Sequence, residues 1–301
     1  MKERALILFT LLTQAAIGAF IIFYLIYPWI AQIAGKAATH VMTRSFLLAI
    51  GALFGLGLLV SLFHLGTPLL AYRALANLRS SWLSREILFA LIFACLWASV
   101  ALLEWRQDGA SFIQNLLTWL TAMSGLALIY CMSRVYMLRT LQTWNSLSTP
   151  LSFYITSFIS GAILVGGVLY FSFQSSPRLQ ASSLSLENEL LVSLLRWIGL
   201  GSFCLLGADL LISSVRKKRL RNGTLQTDKH KRLSLRLYTI RQLLLLMALA
   251  CASLFVFYPN WALSFSTRII IVAGLTLLII LITVEILERA LFYATGSQRT
   301  L

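Results

Sequence analysis

Three histidines occur in this 301-residue chain, His40, His64 and His230, and only His64 stands at the end of a long apolar run. The run AIGALFGLGLLVSLF, residues 49–63, breaks into HLGTPLLAYR at 64–73. An imidazole gains and loses a proton near neutral pH, so at such a boundary it can accept a hydrogen bond from a hydroxyl and then take its proton. Gly66 leaves space beside the ring, and Pro68 ends or redirects the helix and fixes its exit geometry. A histidine that only caps the second helix is the competing reading. Polar groups inside or at the end of a membrane helix are costly and tend to be functional. By that measure Arg73, Glu86, Arg134, Tyr136, Asp209, Glu285 and Arg289 are the candidates to line a site or relay a proton, and Arg241 is a further polar candidate without an assigned role. Glu285 and Arg289 are four apart on one helical face and can pair, as a structural bridge or for proton handling. Arg134 is equally a snorkelling side chain, Asp209 a capping or pairing group, and Glu288 interfacial.

The elements that must carry these residues are membrane spans. The chain is 59% hydrophobic and 12% charged, with a mean hydropathy of +0.83. A soluble domain holds about 25% charged residues, so most of this surface must face lipid. Runs long enough to cross a hydrocarbon core occur at about 5–30, 45–65, 84–103, 112–134, 150–173, 190–213, 238–258 and 267–291. In lipid each segment must satisfy its own backbone, so the fold class is all-α, a single membrane domain over 1–301 with eight helices and both termini on one side. A short loop is expected at Lys36 and His40, and the longest connection at 215–237. Residues 1–30 are read as a retained first helix rather than a signal peptide. With that count, the polar groups named above converge on one face.

Charge and cysteine usage narrow the function. The net charge of +15 lies between apolar runs, which fits topology and partner docking better than nucleic acid. Lys2, Arg4, Arg73, Arg79, Arg139 and the cluster Arg216, Lys217, Lys218, Arg219 and Arg221 share the side of the termini. Lys36, Arg106 and Arg178 lie on the other, so the rule places both termini in the cytoplasm. Arg79, Arg216, Lys217, Lys218 and Arg219 are the candidates for docking a partner. Cys95, Cys131, Cys204 and Cys251 each fall inside an apolar run, without a CxxC, and read as buried small hydrophobes. No metal site is expected, and no iron–sulfur cluster held by this chain. Haem b is excluded by the histidine count, since His40 and His230 are placed in loops.

From Ser61 to Ala74 the sequence resembles the membrane anchor subunit of bacterial dimethyl sulfoxide reductase. Trp82-Leu83-Ser84-Arg85-Glu86-Ile87, Arg134-Val135-Tyr136, Thr143-Trp144, Thr149-Pro150, Gly207-Ala208-Asp209-Leu210, Glu285-Ile286-Leu287-Glu288-Arg289 and Phe292-Tyr293 follow in the family's order. The His-Leu-Gly-Thr-Pro piece is the most specific of them. The resemblance implies an anchor in the bacterial inner membrane that binds and oxidises menaquinol. It implies a four-cluster iron–sulfur subunit and a molybdopterin catalytic subunit as partners, with no haem, cluster or molybdopterin in the anchor itself. The histidine matching His64 is then the quinol-binding residue. The resemblance also implies that the partners lie outside the membrane on the His64 side, where loop charge places the cytoplasm. A secondary transporter with midplane polar groups and a non-redox scaffold are the other classes.

Overall fold

The computed structural model describes residues 2–62, 75–106, 112–137, 145–174, 185–222, 228–257, 276 and 279–291. All regular structure of any length among them is helical: α1 (Lys2–Leu62), α2 (Trp82–Arg106), α3 (Phe112–Tyr136), α4 (Ser148–Gln174), α5 (Ser185–Asn222), α6 (Asp228–Phe257) and α7 (279–291). Six of these are long and apolar enough to cross a membrane. The eight helices expected from the apolar runs are therefore seven elements among the described residues. The difference lies in α1, whose 61 residues are continuous except at Gly35.

A straight helix of that length would measure about 90 Å, three hydrocarbon cores. Gly35 prevents this: its φ of 74° and ψ of 161° lie in a region open essentially to glycine alone. The two halves fold back on each other. Phe23 stacks on Phe46 at 4.2 Å, and Gly57 lies against Thr13. Both residue pairs are centred on Gly35, as an antiparallel hairpin requires. The reversal takes one residue, so Lys36 and His40 lie on helix rather than in the expected short loop. The first half likewise runs through Pro28 and past the expected end of the first span near residue 30, to the break at Gly35.

The second correction concerns the connection at 215–237. Helix α5 continues to Asn222 and α6 begins at Asp228, so most of that stretch, including His230, is helical. Its Arg, Lys and Leu residues are good helix formers, and charge excludes them from lipid without unwinding them. At 38 residues α5 is about 57 Å long and projects well past a hydrocarbon core. Similarly, α2 spans Trp82–Arg106, three residues longer at its C-terminal end than the expected 84–103 run.

Two apolar cores hold the bundle. The larger joins both halves of α1 with α2, α3 and α4 through Phe20, Phe54, Phe93, Leu128 and Phe153. The smaller joins α4, α5, α6 and α7 through Ile155, Ile159, Leu206, Leu245, Leu281 and Val284. Helix α4 takes part in both. Lipid tails are as apolar as these side chains, so close packing and polar contacts must provide much of the association. The closest approach is α1 on α4: a Cβ on Gly18 would run into the Ser157 carbonyl, and one on Gly161 into the Gly18 backbone. Of the four cysteines only Cys131 is fully buried; Cys95 and Cys204 are exposed on helix surfaces within apolar runs, where a thiol meets lipid as a small hydrophobe does.

Candidate functional site

Five helices deliver a network of buried ionic and amide groups to one end of the bundle. Asp209 stands near the end of the apolar part of α5, Arg241 in α6, and Glu285, Glu288 and Arg289 at the end of α7. Arg241 donates through Nη2 to Asp209 at 2.6 Å, and its Nε lies 3.3 Å from Glu288 Oε2. Arg216 pairs with the other oxygen of Glu288 and donates to the Ser148 carbonyl at 2.8 Å. Ser152 and Thr156, one turn apart on α4, donate to Glu288 at 3.1 Å and Glu285 at 2.8 Å. Arg289 donates to Gln14 Oε1 at 2.8 Å, and its guanidinium covers Phe153 at 3.8 Å.

Asp209 and Glu288 are each 2% exposed, Arg241 and Arg289 1%. Groups of this kind are held away from solvent only when paired and hydrogen-bonded. The formal sum meets the pairing half of that condition, since Arg216, Arg241 and Arg289 balance Asp209, Glu285 and Glu288; the hydrogen bonding is incomplete, with Arg241 Nη1 and Gln14 Nε2 lacking a partner among the described residues. Glu288 is thus a central member of the network, not the interfacial residue its position in sequence suggested. It lies one turn from Glu285, and α7 packs both toward α4 and α5. Arg216, expected to face a partner, is mostly turned inward by its bond to Glu288. Lys217 donates to Gln242 of α6 at 2.9 Å, while Lys218, Arg219 and Arg79 are exposed.

A second group sits where α2 begins. Ser81 caps the helix, its hydroxyl accepting from the Ser84 amide at 3.3 Å. Arg85 reaches back to the Leu78 and Arg79 carbonyls at 2.9 and 2.8 Å and lies 4.3 Å over the Trp82 ring. Arg134, from the end of α3, covers Trp82 at 4.8 Å, so two cations meet one indole. This scaffold fixes the entry of α2 and with it Glu86, which is buried. Glu86 makes no hydrogen bond or ion pair with any described residue. Tyr136, two residues past Arg134 on α3, lies beside the first group: its ring is 5.7 Å from Phe153, the ring under Arg289.

Of the residues singled out from sequence, Asp209, Arg241, Glu285 and Arg289 come together, and Tyr136 touches their edge. Glu86 and Arg134 share the α2–α3 entry. His64, Gly66, Pro68 and Arg73 lie outside the described residues. Several polar residues were not anticipated, among them Ser152 and Thr156 of α4, Gln14 and Arg44. Gln14 of the network is fully buried in α1, and a lone amide in an apolar first span was the available signal. Arg44, at the opposite end, donates to the Glu104 carbonyl at 3.1 Å.

A multi-pass α-helical membrane protein with buried charge gathered at one end is the class that fold and site define. Within it, the chain belongs to the family described as DMSO reductase anchor subunit (DmsC), matched over residues 1–295. It is 31% identical over 178 residues to a chain of the anaerobic dimethyl sulfoxide reductase of Haemophilus influenzae, an overlap of 59% of this chain and 62% of that one. Identity to the protein of the same name in Escherichia coli is 30% over 165 residues, 54% of this chain and 56% of that one. A sulfite dehydrogenase subunit of Allochromatium vinosum is 37% identical over 134 residues, 38% of this chain and 41% of that one. The match thus spans less than two thirds of the length of these curated relatives. No solved structure matches.

Proposed function

We propose that this chain is the membrane anchor of a molybdopterin oxidoreductase complex of the dimethyl sulfoxide reductase type, in the bacterial inner membrane, with eight spans and both termini on one face. It binds menaquinol at the end of the bundle where α2 begins and passes the electrons to a four-cluster iron–sulfur subunit. A molybdopterin subunit then acts on the terminal acceptor. The observation that carries this reading is the family match over residues 1–295. The geometry supports it at Glu86, a buried carboxyl left without a partner among the described residues and held in place by the Ser81, Arg85 and Trp82 scaffold.

Quinol oxidation releases two electrons and two protons. Menaquinol is the substrate and supplies the redox chemistry; the anchor provides binding and proton acceptance. In the proposal His64 accepts a hydrogen bond from one quinol hydroxyl and takes its proton. Glu86 receives a proton or orients the ring from the other side. Arg73, Arg134 and Tyr136 line the site, with Gly66 and Pro68 shaping the backbone beside it. Asp209, Glu285 and Arg289 are the candidate relay beyond Tyr136 and Phe153. The exposed Arg79, Lys218 and Arg219 contact the partner.

His64→Ala and Glu86→Gln variants in the assembled complex test the assignment. Both are expected to lower quinol-driven reduction of the partner's clusters by about a hundredfold or more, the range in which removal of a general base falls. An artificial donor should still drive the soluble subunits at the wild-type rate. Normal quinol-driven turnover in a fully assembled His64→Ala complex would overturn the assignment.

A further inference from the structure

At the end of the bundle opposite the ionic network, a cavity of about 540 Å³ opens between the first hairpin and α3. One wall is apolar and aromatic, with Leu25, Tyr27 and Trp119 among its residues. The other carries Lys36, His40 and Asn115. Trp119 and Leu25 are exposed, so the mouth of the cavity reaches the outer face of the bundle. The polar wall is built. Glu104 is buried behind it, taking His40 Nδ1 at 2.5 Å and the Gln114 amide at 2.9 Å on its two oxygens. Arg44 fastens the same turn of α2 through the Glu104 and Trp105 carbonyls. Lys36 forms no ion pair with any described residue. The Tyr24 hydroxyl is buried without a hydrogen-bond partner among the described residues, and Tyr24 also borders the cavity.

We propose that this cavity binds the head group of an anionic phospholipid. Its phosphate is received by Lys36, with His40 and Asn115 as further donors and an acyl tail lying on the Leu25 and Trp119 wall. Lys36 stands one residue past the Gly35 reversal, which puts it at the membrane surface, where the phosphate of a lipid lies. The local charge favours an anion: Lys36 and Arg44 outweigh the Glu104 carboxylate even with His40 neutral. The position of donors at the surface and an apolar wall directed inward fits an amphipathic ligand better than a free ion. None of these residues belongs to the site proposed above for quinol.

Native mass spectrometry of the detergent-purified complex, titrated with phosphatidylglycerol or phosphatidylcholine, tests this. Wild type is expected to retain one phosphatidylglycerol at concentrations where phosphatidylcholine is stripped. Lys36→Ala should weaken that retention about fivefold, the effect of one basic residue at a membrane surface. Lys36→Arg should restore it. Lys36 is exposed, so these variants fold, and quinol-driven turnover of the complex, which needs the assembled chain, confirms that they assemble. Equal retention of the two lipids by wild type, or unchanged retention in Lys36→Ala, would overturn the proposal. Displacement of the lipid by millimolar inorganic phosphate would overturn it as well, by making the ligand a free anion.

Discussion

At the scale of single residues, the buried network is a balance of three positive and three negative groups, and that balance governs how each responds to substitution. Arg241 serves Asp209 and Glu288 together. Replacing it alone with glutamine leaves one uncompensated negative charge in a dry site, at a cost of about 3–5 kcal/mol. Asp209→Asn with Arg241→Gln removes one charge of each sign and keeps the sum at zero, so most of the loss should be recovered. Thermal unfolding of the solubilised protein measures both; a double variant no more stable than Arg241→Gln would refute the balance. Much of this network was legible from sequence, because a charged residue in an apolar run has few reasons to be there. Gln14 was not, since an uncharged amide costs less in lipid and stands out less. Its importance comes from Arg289, which is 275 positions away in the chain.

At the scale of elements, the apolar runs located the helices well, while the segments between them differ from expectation for a physical reason. Hydropathy reports where a helix leaves lipid, not where it ends. Helices α5 and α6 both continue into the basic stretch that was expected to be a loop. Helix crossings were less legible still. Gly18, Gly51, Gly55 and Gly161 look alike in sequence, yet only the partner surface distinguishes them. A Cβ at Gly18 would penetrate the α4 backbone, whereas one at Gly55 meets nothing within 4 Å. Gly18→Leu should therefore force α1 from α4 and cost at least the roughly 1–3 kcal/mol typical of overpacking, while Gly55→Leu should be tolerated. The yield of monodisperse protein and its unfolding midpoint compare them; equal behaviour would mean that the α1–α4 contact is not close.

At the scale of the whole molecule, both apolar cores share α4, and the two ends of the bundle differ in character. One end holds the balanced network and the exposed basic residues of α5. The other holds the His40–Glu104 pair and the surface cavity. The proposed topology puts Asn222 and Pro259 on opposite faces. Single cysteines at these positions are expected to react with an impermeant thiol reagent from opposite sides of the membrane, Asn222 from the cytoplasm if loop charge sets the orientation. Reaction of both from one side would break the eight-span arrangement.

The bond between Gln14 and Arg289 joins the first helix to one that is made much later in synthesis. A ribosome releases α1 into the membrane long before α7 exists. Until α7 arrives, Arg216 and Arg241 face Asp209 alone, and the unfinished bundle carries an excess positive charge that nothing inside this network neutralises. Helix α7 supplies two carboxylates and one guanidinium, cancels that excess and ties itself to the first helix through the Arg289–Gln14 bond.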